Sequence, residues 1–136
     1  MLAAVLNGAG NDDIKGVDVV TRPALTASAV DVLAADGLIL GTPANIGYMS
    51  GALKHFFDTV YYPSIVDTPN LPYALYIHGN SDTSGAVRAV ESIAKGLSWQ
   101  RVRPPVQVIG ELTTADREAC WELGAVLALA AIERAG

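Results

Sequence analysis

Leu38-Ile39-Leu40-Gly41-Thr42-Pro43-Ala44-Asn45-Ile46-Gly47-Tyr48-Met49-Ser50-Gly51-Ala52-Leu53-Lys54-His55-Phe56-Phe57-Asp58 is the stretch on which the fold turns. Leu38 to Leu40 form a short apolar run of the kind that makes a buried strand. From Gly41 to Gly51 the chain is rich in residues that shape turns, and this is long for a loop between a strand and a helix. Leu53, Phe56, Phe57 and Val60 then recur at i, i+3, i+4 and i+7, one apolar face of a helix. The stretch therefore reads as strand, long loop and amphipathic helix.

The same alternation extends outward in both directions. Val17 to Thr21, Tyr73 to Ile77 and Val106 to Ile109 are apolar, β-prone runs bounded by Gly, Pro or polar residues, and each is expected to be a buried strand. Val90, Ile93, Ala94 and Leu97 mark another helix. A weaker helix is expected from about Ser28 to Ala35 with Gly37 as its stop. A final one runs from about Ala115 to Arg134, with Asp116 and Glu118 in its first turn and Cys120, Leu123, Leu127 and Ala131 facing inward. Leu2, Val5 and Leu6 have helical spacing with Gly8 as the cap, so the sequence opens inside a helix. Strands alternating with helices predict an α/β fold with a doubly wound parallel sheet covered on both faces.

Length and charge restrict the function. The 136 residues are expected to form one domain, spanning 1–136, that buries roughly 65 to 70% of its unfolded surface. A net charge of −5 without a Lys/Arg cluster argues against a nucleic-acid partner. Cys120 is the only cysteine, so no internal disulfide forms; no secretory leader is recognisable, and the cytoplasm is the expected compartment. No apolar run reaches the roughly 18 residues of a membrane span. His55, His78 and Cys120 have none of the short spacings of a metal site.

Open parallel sheets bind ligands at the carboxyl ends of their strands, which directs attention to the loops after Leu40 and Ile77. In the first, Gly41-Thr42-Pro43, Gly47, Met49-Ser50-Gly51, Leu53-Lys54 and Phe56-Phe57-Asp58 resemble the second flavin loop of NAD(P)H:quinone oxidoreductases and FMN reductases of the flavodoxin-like superfamily. The order of strands, helices and loops agrees with that family over nearly the whole chain. The resemblance implies an FMN-dependent oxidoreductase that passes electrons from NAD(P)H to a quinone or other small acceptor, as a homodimer or tetramer.

It also implies a site. Thr42, Pro43, Ala44, Asn45, Ile46, Gly47, Tyr48 and Met49 would lie along the isoalloxazine ring, with Asn45 and backbone amides at its edge and Gly47 permitting close approach. In the second loop, Gly79 and Asn80 would offer backbone donors to the pyrimidine edge, and His78 either faces the flavin or is simply hydrogen-bonded at a strand end. Ser50 has a plainer role open to it, as the cap of the following helix. No catalytic side chain is required, because flavin carries the chemistry.

Two features cut against a complete flavin site. The family holds the FMN phosphate with a Ser/Thr-rich loop between its first strand and first helix, and neither that loop nor the first strand is found here, so the fold is expected to be N-terminally truncated. Gly8-Ala9-Gly10-Asn11 follows a helix and reads as a stop and a turn. In the family the missing strand lies between the second and third, so its neighbours would lose ladder partners, at about 1 to 3 kcal/mol for each buried unpaired group. Either the polypeptide starts upstream of Met1, or the chain rearranges or pairs with another. A non-catalytic module that no longer binds FMN is the chief alternative function, and a flavodoxin-type electron carrier a further one. A serine hydrolase fails, since Thr83 stands where a nucleophile elbow after Gly79-Asn80-Ser81 needs its second glycine, and both histidines precede Ser81.

Overall fold

The sheet is organised about one strand. The computed structural model describes residues 1–136 as α1 Leu2–Ala9, α2 Ala29–Ala34, β1 Leu38–Pro43, α3 Gly51–Ser64, β2 Pro72–Gly79, α4 Ser84–Gly96, β3 Gln100–Arg101, β4 Val106–Ile109 and α5 Thr114–Ala135. β2 pairs in parallel with β1 on one side, from Leu38↔Tyr73 to Pro43↔His78. On its other side it pairs in parallel with β3 at Pro72 and Tyr73 and with β4 from Tyr76 to Gly79. β3 and β4 thus share an edge, interrupted where Pro104 and Pro105 have no N–H to contribute. The short, polar β3 carries no hydrophobic signal by which its sequence would announce a strand.

Side chains alternate across the pleat, and β2 is covered on both faces. Tyr73, Leu75 and Ile77 join Leu40, Val32, Leu53, Phe57, Val60, Val90 and Ala94 in the main core beneath α2, α3 and α4. Ala74 meets Leu123 and Leu127 of α5 on the opposite face, with Ile39, Tyr76 and Val106 packed around them. This is the doubly wound parallel arrangement expected. Trp99 closes the main core, its indole N–H donating to Thr68 Oγ1 at 2.9 Å, so it is an interior residue, whereas Trp121 is half exposed.

α1 packs on α5. Gly8 is not its cap: the helix runs to Ala9 with Gly10 as C-cap, and Gly8 lies where a side chain would collide with the backbone carbonyl of Trp121. Gly124 meets the carbonyl of Val5 in the same way, so the two backbones are in contact. Gly37 likewise lies beyond the end of α2, against Leu127, and does not stop the helix. Within α5, Cys120, Leu123 and Leu127 are buried and Ala131 partly so.

Val17 to Thr21 departs from expectation. It forms no strand, Val19 and Val20 are exposed, and no backbone hydrogen bond involves residues 17–21. A β-prone sequence becomes a strand only beside another strand, and β1 takes its partner on the β2 side alone.

Two outcomes follow for stability. Gly8→Ala should destabilise the chain by roughly 1 to 3 kcal/mol, the cost of forcing a methyl group into a closed contact, read from urea unfolding. Thr113 and Asp116 form a capping box on α5, with Thr113 N donating to Asp116 Oδ2 at 2.9 Å and Asp116 N to Thr113 Oγ1 at 3.1 Å. The Thr113 amide, and after it the Thr113 hydroxyl, hold the Asp116 carboxyl below its ordinary value. A carboxyl lowered on folding stabilises above its unfolded pKa of about 4 and ceases to as pH falls through the folded value. The advantage of the wild type over Asp116→Asn, measured by unfolding at several pH values, should therefore be present at neutral pH and vanish in strong acid.

Candidate functional site

The carboxyl ends of β1, β2 and β4 bring three loops together. β1 continues through Gly41, Thr42 and Pro43, which the sequence reading had placed in the loop, and β2 likewise includes His78 and Gly79. The β1–β2 ladder gains one more bond where Ala44 N donates to His78 O at 3.0 Å. The chain then turns back sharply: Asn45 N donates to Tyr48 O at 2.8 Å and Tyr48 N to Asn45 O at 2.9 Å. Between them, Ile46 and Gly47 have φ of +48° and +71°. A two-residue turn with both residues left-handed is the type I′ hairpin. Glycine suits its second position; a β-branched isoleucine at the first is strained, by about 1 kcal/mol or more.

Ile46 is also fully exposed, and Tyr48 partly so. The tip of the turn is fixed from below, because Gly47 O rests where any side chain on Gly85 would stand. Gly85 is therefore a positioning residue that composition alone does not reveal.

The expected ring-side residues divide in two. Thr42 is buried under the loop: Ser50 N donates to its Oγ1 at 2.9 Å, and that hydroxyl donates to Pro43 O at 2.8 Å. Ser50 Oγ in turn accepts from Leu53 N at 3.1 Å, capping α3. Met49 is buried with the main core. Thr42 and Met49 thus hold the loop from inside, while Pro43, Asn45, Ile46, Gly47 and Tyr48 lie exposed and Ala44 half-buried. Tyr62 is exposed elsewhere on α3, and Tyr61 packs against Gly96 of α4.

At the end of β2, Gly79 is buried against Ala44 and Thr83, and its carbonyl accepts from Gly110 N at 2.9 Å. His78 is exposed at the rim, where its Nε2 donates to the carbonyl of Gly110 at 2.5 Å. The loop after β4 is thereby tied to the other two. Its presence in the site could have been suspected from Gly110, which follows a strand and adopts φ +81°. Asp82 accepts from Ser84 N at 2.9 Å and Ser84 Oγ at 2.8 Å, which keeps its carboxyl below the ordinary value. Thr83 Oγ1 donates to Gln107 Oε1 at 2.8 Å and anchors the same loop to β4.

What this rim offers chemically is backbone donors. The N–H groups of Ile46 and Gly47 in the first loop and of Asn80, Ser81 and Asp82 in the second make no hydrogen bond within the chain. Of the two donors the sequence had suggested only Asn80 is free: Gly79 is the last residue of β2 and faces β4, so its N–H is taken up in the ladder, and Ser81 and Asp82 supply donors in its place. In contrast, Gly10 N and Asn11 N are occupied by Leu6 O and Gly8 O, so the Gly8 to Asn11 run is a helix end, as read from sequence. No group of three or more His, Cys, Asp or Glu side chains is placed to hold a metal, and no helix is long and apolar enough to cross a membrane. A cleft of about 390 Å³, lined by Tyr73, Glu91, Lys95, Trp99 and Arg101 among others, lies at the opposite end of the sheet.

No protein-family model matches the sequence. A flavodoxin from Aquifex aeolicus (strain VF5) is 40% identical over 57 residues, which is 42% of this chain and 31% of that protein. The matched segment therefore spans about a third of the curated relative's length. Among solved structures, a flavodoxin from the domain Archaea superposes with a TM-score of 0.80 at 16% identity, covering 96% of this chain and 87% of its own. A flavodoxin, WrbA-like protein from Agrobacterium tumefaciens gives 0.75 at 20% identity, with 97% and 87% covered. Parallel sheet, helices on both faces and superposition over nearly the whole chain agree: this protein has the flavodoxin-like fold.

Proposed function

We propose that the rim of loops at the ends of β1, β2 and β4 binds the isoalloxazine ring of FMN. On this reading the chain is the flavin-binding part of an oxidoreductase that passes electrons from NAD(P)H to a quinone or other small acceptor. The observation that carries it is the set of five unbonded backbone N–H groups, at Ile46, Gly47, Asn80, Ser81 and Asp82, beside an apolar residue held exposed in a strained turn. A planar ring with an acceptor-rich edge and an apolar body matches donors placed next to Ile46 and Tyr48. The flavodoxins and the WrbA-like protein that share the fold support the same class of ligand.

FMN, when bound, supplies the electron transfer, and the protein binds, orients and tunes it. Here Asn80, Ser81 and Asp82 would hold the pyrimidine edge through their amides, while Tyr48 and Ile46 cover the ring and keep water from it. His78, by donating to Gly110 O, sets the position of the third loop relative to the second.

A second reading, a flavodoxin-like module without FMN, is favoured by one observation: the only glycine-rich run near α1 has its amides engaged in ending that helix and offers no cradle for a phosphate.

Titration of the chain into FMN and, in parallel, riboflavin, followed by quenching of flavin fluorescence, separates the two. Saturable quenching by both is expected from an intact ring site; no quenching of either by the folded chain would leave the module without cofactor. Ile46→Gly provides a sharper check. It should raise the thermal midpoint by removing strain, while weakening flavin binding up to about tenfold through loss of the covering side chain. A stabilised variant with unchanged affinity would remove Ile46 from the site.

A further inference from the structure

At the end of the sheet remote from the loop rim lies the cleft of about 390 Å³. Along β2, Tyr73 at the cleft and His78 at the rim are roughly 17 Å apart at the rise of a strand. The floor of the cleft is aromatic: Tyr73 and Trp99 are both buried, with ring centroids 6.3 Å apart. The Tyr73 hydroxyl bonds to nothing in the chain and is not sealed from solvent, so it opens into the cleft. Burial, and after it the Glu91 carboxylate, raise the phenol above its ordinary pKa, which keeps it a neutral donor.

Three charged side chains surround this floor. Arg101 Nη1 donates to Glu91 Oε2 at 2.6 Å, and the other guanidinium nitrogens of Arg101 are unengaged. Lys95 has no ion-pair partner. Two cations and one carboxylate leave the cleft a single positive charge, in a chain whose net charge is −5.

The backbone of the cleft is also unusual. Asn70 and Ser98 both line it and are left-handed, each with φ of +61°, and Asn70 N donates to Ser98 O at 2.7 Å. Ser98 N donates to Lys95 O and Trp99 N to Ala94 O, both at 3.0 Å, which is the bonding of a Schellman motif at the end of α4. Glycine is the usual residue at its left-handed position, because it adopts that conformation without strain. Ser98 instead brings a hydroxyl that makes no bond within the chain. The same backbone bonds engage the carbonyls of Ala94, Lys95 and Ser98, while Tyr73, Lys95, Ser98 and Arg101 keep side-chain donors free.

From these we infer that the cleft binds a small carboxylate monoanion with an apolar body, its carboxylate held by Lys95, Arg101 and the Tyr73 hydroxyl and its body against Tyr73 and Trp99. A single surplus positive charge selects a monoanion, because a dianion would set its second charge against Glu91. The guanidinium nitrogens left free by Glu91 suit the planar fork of a carboxylate. The inference is independent of flavin binding, because no residue of the loop rim takes part.

The probe is benzoate, titrated into the full chain at constant ionic strength while backbone and Arg Nε–H NMR signals are followed. Neutral benzamide and inorganic phosphate are run beside it. Saturable one-to-one shifts are expected at Asn70, Ser98 and Arg101, with Ile46 and Asn80 at the rim unmoved. Benzamide, and benzoate with the surface variant Lys95→Gln, should each bind about tenfold more weakly than benzoate with the wild type. Ser98→Gly should raise the thermal midpoint and still weaken benzoate binding, a combination that a purely structural serine would not give. Absence of saturable shifts at these residues would overturn the proposal, as would equal affinity for benzamide or unchanged affinity in Lys95→Gln. So would tighter binding of phosphate than of benzoate, which would show that the charge of the cleft does not select a monoanion.

Discussion

Every element of this chain is placed by the ladder of β2. A parallel strand cannot be joined to its neighbour by a tight turn, so each pairing of Pro72–Gly79 requires a crossover, and helices fill the crossovers. The crossover helices α3 and α4 cover one face of the strand and α5, which follows β4, covers the other, which is why Pro72 to Leu75 are all buried and the run is continuously apolar. Once β2 is satisfied on both edges and both faces, the carboxyl ends of β1 and β4 necessarily lie beside its own. The loops at those ends are then forced into one rim.

That rim is built from the backbone outward. Buried Thr42 and Met49, the Ser50 cap and the Gly47–Gly85 approach hold the first loop rigid without presenting a functional group. Rigidity lets Ile46 remain in a left-handed conformation that a β-branched residue avoids when free. The unbonded amides on either side are donors that a ligand can use without displacing any protein contact. A site of this type has few reactive side chains, in keeping with chemistry that a bound cofactor would perform.

The two halves of the molecule are unequally supported. The main core under α3 and α4 contains 16 buried residues, against three in the cluster beneath α5. On the weaker side α1 is held chiefly through the glycine contacts with α5, where small residues let two helices approach to backbone distance. The same region carries the open edge of β1 and the exposed valines that follow α1. Stability is therefore concentrated away from the part of the sheet that has least to bury.

Much of this was legible in the sequence. The apolar spacing of Leu53, Phe56, Phe57 and Val60 and of Val90, Ala94 and Leu97 determined two helices and their buried faces, because a period of 3.6 admits one interior side. The runs at Leu38, Tyr73 and Val106 determined three strands, and their alternation with helices determined a parallel sheet and the loops to inspect. Tertiary structure decided the rest. Val17 to Thr21 has the composition of a strand but no partner, and Gln100–Arg101 has a partner but not the composition, because pairing is a property of neighbours. It also separated Thr42 and Met49 from Ile46 and Tyr48 within one motif, since burial depends on what the chain folds against. The roles of Gly8 and Gly85 were settled in the same way: a glycine required by a close approach is visible only when the approaching backbone, at Trp121 and at Gly47, is in place.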